Sequence, residues 1–97
     1  MVIGACRLTL RLPENQSLKG KRHVVKSIIA RVKNKFNVSI AEIDDQDRWQ
    51  IAQLGITCVS NNGQHVDEVL AKVVGFIETS HADAELVDYE IEILHAL

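Results

Sequence analysis

The chain has little of what usually reveals a protein's chemistry. Its 97 residues include two cysteines, one proline and four aromatic residues, and only one of the aromatics, Trp49, is a tryptophan. Cys6 and Cys58 form no Cys-x-x-Cys pair and have no histidine at ligand spacing, which argues against a zinc ribbon or a dithiol redox motif. They read as buried free thiols of a reducing, cytoplasmic setting. The histidines, His23, His65, His81 and His95, are scattered, and none forms a ligand pair on a helix. Apolar runs never approach the roughly 20 residues that span a bilayer. The start of the chain alternates and carries Arg7 and Arg11, unlike the basic-then-apolar order of a secretory signal. No membrane partner is expected. Neither a nucleophile–base pair nor an acid–base pair can be named, so no enzyme and no cofactor are expected. The stretch Glu42, Asp44, Asp45, Asp47 lacks the Asp-x-Asp-x-Asp-Gly order and distal Glu of a calcium loop and reads as a polar turn. No metal site is expected there. Linker-like Gly/Ser/Pro stretches are also absent, and residues 1–97 are read as one domain.

What is present is a strong alternation of patterns. From Val2 to Leu12 every second residue is small or apolar, the mark of a half-buried strand. Pro13–Gln16 breaks it, and Ser17 is a good N-cap. From Leu18 to Phe36 the apolar residues Leu18, Val25, Ile28, Ile29, Val32 and Phe36 form one helical stripe. Asn37–Ile43 and Trp49–Ser60 read as a hairpin around a polar turn, the second strand burying Ala52, Leu54, Ile56 and Cys58. A second amphipathic helix is expected from about His65 to Ser80, faced by Val66, Val69, Leu70, Val73, Val74 and Ile77. A last strand, Glu85–Leu94, is expected to bury Val87, Tyr89, Ile91 and Ile93 and to expose Asp88, Glu90 and Glu92. The order βαββαβ predicts an α+β, ferredoxin-like sandwich: a four-stranded antiparallel sheet, order 4-1-3-2, with two helices on one face.

Charge is divided by position. Residues 1–36 hold nine of the eleven Lys and Arg and a single acid, Glu14; residues 37–97 hold Arg48, Lys72 and the other twelve acids. The fold should cancel part of this, because Arg7 and Arg11 share the helix-free face with Asp88, Glu90 and Glu92 of the adjacent last strand. The first helix is different. It carries Lys19, Lys21, Arg22, Lys26, Arg31, Lys33 and Lys35 with no acid between Ser17 and Phe36. Lys19, Arg22, Lys26 and Lys33 fall on one side, beside His23. Three cations in the first turns oppose the helix dipole, at roughly 0.3–1 kcal/mol each when exposed. Either a bound anion or internal acids such as Glu14, Asp67, Glu68 or Glu78 must offset them.

Three familiar uses of this topology fit poorly. The open sheet face offers Arg7, Thr9, Arg11, Gln53, Gly55 and Thr57 but no aromatic on which bases could stack, and Trp49 reads as packing over the hairpin. Leu12–Gln16 shows neither a phosphate-cradling loop with a catalytic Arg and Asn nor the paired cysteines of a metal carrier.

The block Ser17-Leu18-Lys19-Gly20-Lys21-Arg22, with Phe36-Asn37-Val38-Ser39, Ala41-Glu42 and Asp47-Arg48-Trp49, resembles the YlxP-like family of small bacterial proteins of unknown function. The resemblance covers essentially the whole chain and implies a ferredoxin-like fold. Members are often encoded beside translation-initiation and ribosome-maturation genes, which implies work near RNA or the ribosome, and the resemblance assigns no catalytic residue. Gly20 stands where members tend to carry an acid, which would complete a capping box with Ser17. The leading expectation is a non-enzymatic accessory protein that contacts rRNA phosphates or a ribosomal subunit through Lys19, Lys21, Arg22, Lys26 and Lys33, by shape and charge and without reading DNA or RNA sequence. The alternatives are a homodimer or larger scaffold assembled through Ile3, Ile51, Val59, Leu86 and Leu94, and a sensor of a small anionic metabolite at the start of the first helix.

Overall fold

The structure, a computed structural model, describes residues 1–97. Its elements are β1 (Val2–Arg11), α1 (Leu18–Lys35), β2 (Ser39–Asp44), β3 (Ile51–Ser60), α2 (Gly63–Ser80) and β4 (Glu85–His95). The strands form one antiparallel sheet in the order β2-β3-β1-β4, the ferredoxin-like arrangement. Neither helix is long and apolar enough to cross a membrane.

Alternation in β1 translates directly into two faces. Val2, Gly4, Cys6, Leu8 and Leu10 are buried beneath the helices, while Arg7 and Arg11 are exposed on the other side. A cluster of 19 buried residues joins both helices to β1, β2 and β3, and Leu86, Ile91 and Ile93 of β4 pack against its flank. At roughly 1.5–3 kcal/mol for each large apolar side chain, this burial supplies most of what opposes chain entropy. Ser17 and Asn62 cap the two helices: Ser17 Oγ accepts from Gly20 N, and Asn62 Oδ1 accepts from Gln64 N and His65 N. The Asn62 cap starts α2 two residues earlier than its periodicity predicts. Phe36 closes α1 and meets Phe76 of α2 edge-to-face, with ring centroids 5.6 Å apart.

The last strand departs from the simple alternation. Its pairing with β1 slips between Thr9 and Leu10, so that Leu10 faces Leu86 while Thr9 faces Asp88. The extra residue, Val87, drops out of the ladder and is exposed rather than buried. Leu86 thereby turns toward the core instead of joining the apolar fringe of the open face. Tyr89 keeps the inward register opposite Leu8 but stays half exposed, because the outermost strand has a neighbour on one side only. Cys6 is buried and Cys58 partly so, both as free thiols, and burial pushes the Cys6 thiol up to about 11.

One close approach fixes how α2 sits on the sheet. A methyl group on Gly4 would lie 2.2 Å from Val66 Cγ1 and 2.7 Å from Leu70 Cδ1. Val66 is β-branched and fully buried, so it has little freedom to yield. Gly4→Ala is expected to lower stability by about 1–3 kcal/mol, the usual range for overpacking, with the slope of the denaturant curve unchanged. An unchanged midpoint in urea would show that α2 does not need this contact.

Candidate functional site

The basic helix separates into three kinds of cation. Lys21 is the exception to the expected surface patch: it is the one charged side chain in the interior, 1% exposed. Its Nζ donates to the carbonyl of Arg48 at 2.7 Å and to that of Asp45, and lies 2.9 Å from Glu42 Oε2. Glu42 Oε2 has no aligned hydrogen-bond donor, so this third contact is a charge pair. The counter-charge for the helix start is therefore Glu42 of β2. None of Glu14, Asp67, Glu68 and Glu78 pairs with α1. Lys21 cannot contact a phosphate without leaving the core. The reason is positional: Lys21, Val25, Ile28 and Val32 share one face through spacings of four, three and four, and that face is buried.

Lys19, Arg22, Lys26 and Lys33 are exposed and make no ion pair. They form the second group, a stripe along one side of α1 with no internal counter-charge. Arg31 and Lys35 form the third and serve contacts between the helices. Arg31 donates to the carbonyl of Ser80, and Lys35 Nζ stands 4.8 Å from the ring centre of Phe76.

The helix start is shaped by Asn15. Its Nδ2 donates to the carbonyl of Ser17 at 2.7 Å and to that of Trp49. A Cβ on residue 20 would come within 2.3 Å of Asn15 Oδ1. Gly20 is therefore the space that Asn15 occupies, and the bareness of the corner is a by-product of packing. The anion-sensor reading loses two of its groups here, since Ser17 Oγ takes the Gly20 amide and Lys21 is turned inward.

The hairpin between β2 and β3 lies against this helix start. Asp45 turns the chain with a φ of 59°, a left-handed conformation that Asp tolerates, and its side chain accepts from Gln53 Nε2 at 2.7 Å. The acids of this turn are thus divided among Lys21, Gln53 and a distant 3.7 Å contact with Arg48. Trp49 is only half covered at the hairpin. It precedes β3, and 53% of its surface is open. The block Asp47-Arg48-Trp49 marks the position but not its exposure, because a single aromatic beside a turn looks the same buried or bare.

On the open sheet face, Arg7 pairs with Glu90. Arg11 is claimed by Glu85, at 2.8 Å through Nη2 and 3.1 Å through Nε, because the β4 bulge brings Glu85 opposite it. These exposed pairs are worth little, about 0–1 kcal/mol each, but they cancel the positive charge of β1. At the far end of the same face Ile3 stands between Val59 and Leu94 in register, and Val59 and Leu94 are 63% and 44% exposed.

Residues 3–91 match the family model described as "Protein of unknown function (DUF503)". A protein of Bacillus subtilis (strain 168), "Uncharacterized protein YlxP", is 49% identical over 63 residues, which cover 65% of this chain and 68% of that one. Neither description names an activity, a ligand or a partner.

The division of the cations has a direct test in stability. Removing one partner of a buried charge pair typically costs 3–5 kcal/mol, so Lys21→Ala should destabilise by about that much. Lys19→Ala should be neutral or slightly stabilising, since an exposed cation in the first turn opposes the dipole. Equal effects of the two variants in urea denaturation would contradict the buried role of Lys21.

Proposed function

The chain belongs to the DUF503 family of proteins of unknown function, and for it we propose a non-enzymatic role: the exposed stripe on α1 binds RNA phosphates, on the ribosome or a ribosomal RNA precursor, in the bacterial cytoplasm. The observation that carries this reading is the absence of any ion pair for Lys19, Arg22, Lys26 and Lys33. Surface helices usually interleave acids with such cations, and a row without them is unfavourable to folding by a few tenths of a kcal/mol per pair. A polyanion offsets that repulsion when it binds. Spacings of three, four and seven residues place the four cations along one line of the helix, a form suited to following a phosphate backbone. Such contacts give affinity and orientation and carry no sequence information.

Lys21 is not part of this surface. Its contribution is to hold the helix start against the hairpin, so that the stripe is presented on a rigid element. Two free cysteines suit a reducing compartment.

Co-sedimentation with ribosomal subunits across a salt series tests the proposal. Binding should weaken steeply with salt, each phosphate contact adding roughly 0.7–0.9 to the log–log slope. Lys19→Ala with Arg22→Ala and Lys26→Ala should remove most of the binding and flatten the slope. Undetectable binding at low salt, or binding indifferent to these substitutions, rejects the reading.

The row Leu94–Ile3–Val59 supports a second reading, a homodimer joined through the open sheet face. An exposed apolar row across three strands is what a self-complementary contact would bury. Light scattering at micromolar concentration should then give twice the chain mass, and Val59→Glu should return it to the monomer. A monomer at every concentration would remove this reading.

A further inference from the structure

We propose that Trp49 is a base-stacking platform, and that the polyanion held by α1 is therefore single-stranded RNA rather than a duplex. This inference rests on the phosphate-binding reading of α1 and specifies its ligand.

The backbone beneath the indole is held at three successive carbonyls. Lys21 Nζ donates to Arg48, Asn15 Nδ2 donates to Trp49, and Leu12 N donates to Gln50 at 2.8 Å. Gln50 adds two bonds of its own, from Nε2 to the carbonyls of Pro13 and Asn15. The segment that carries Trp49 is thus tied to the end of β1, to the following turn and to the first turns of α1. Its side chain takes no part in this. The indole is the largest side chain in the protein, yet it contributes nothing to the buried cluster and leaves about half of its surface in water. The anchored backbone fixes where the indole is carried, so stacking has only its two side-chain torsions left to order.

The surroundings select the partner. Trp49 borders an open concavity of about 330 Å³ with Arg11, Asp47, Arg48, Gln50 and Ile51. Arg11 is held by Glu85, whereas Arg48 has only a 3.7 Å contact with Asp45 and is largely free. Asp47 repels phosphate from its own side of the hollow. No α1 residue lines the hollow, but Asn15 ties the backbone of Trp49 to that of Ser17 at the start of α1, whose Lys19 and Arg22 are exposed and make no ion pair. A flat uncharged group over the indole, on a strand whose phosphates run on to α1, suits both features. A nucleotide of a single strand has this form; in a duplex the base faces are already stacked on one another.

Trp49 is the only tryptophan, so its fluorescence reports this position alone. Single-stranded RNA of about ten nucleotides, duplex RNA of the same length and inorganic polyphosphate would be titrated at low salt, with affinities from the anisotropy of labelled RNA and by competition. The single strand should quench the fluorescence, and polyphosphate should not. Trp49→Ala should weaken single-strand binding by roughly tenfold, Trp49→Phe by less, with polyphosphate affinity and melting temperature unchanged. Lys19→Ala with Arg22→Ala should weaken all three ligands together. A single strand that binds wild type and Trp49→Ala equally, without quenching, overturns the stacking role and leaves the phosphate role standing. Quenching and a Trp49→Ala loss that persist when Lys19 and Arg22 are removed would overturn the phosphate role alone. No binding by any of the three overturns both.

Discussion

A lysine ammonium with no water around it needs polar partners and a counter-charge, and at Lys21 these come from a different part of the chain. The carbonyls of Asp45 and Arg48 and the carboxylate of Glu42 converge on a side chain that starts from α1. Desolvating the charge is costly, and one partner would not offset it. Here three partners from the hairpin meet one side chain of α1, which joins the two elements at this point. The left-handed turn at Asp45, the space left by Gly20 for Asn15 and the anchoring of residues 48–50 all occur around this point.

From that arrangement the charges of the first 36 residues take different paths. Those on β1 meet carboxylates of β4 and are neutralised at the surface. Lys21 is neutralised inside. Arg31 and Lys35 serve the junction of the two helices. Only Lys19, Arg22, Lys26 and Lys33 remain without partners, and the hairpin that Lys21 holds ties the backbone of Trp49 to the start of their helix. The excess of +8 that the chain carries up to residue 36 is reduced to one narrow stripe on α1.

Much of this is legible in the chain, and what is not legible shares a cause. The period of two in β1 and the period near 3.6 in both helices identified the elements and their buried faces, because side-chain direction follows from backbone geometry alone. The partner of Arg7 was also accessible, since topology sets β1 beside β4. Lys21 could have been found: it continues the spacing of Val25, Ile28 and Val32, but a cation at an apolar position looks like an error until its partners are known. Arg11 meets Glu85 rather than Asp88, Glu90 or Glu92, because a bulge leaves no mark in the alternation. Leu86, Val87 and Tyr89 depart from the alternation through the same bulge and the open side of an edge strand.

The sequence by itself thus determined the elements, their order, the ferredoxin-like sandwich and the acid-free helix, all of which depend on short-range periodicity and composition. Tertiary structure alone decided which cations are spent and which are free, and whether Trp49 is covered. These depend on groups separated by 21 residues for Lys21 and Glu42 and by 34 for Asn15 and Trp49, and burial is a property of what the rest of the chain brings to a side chain.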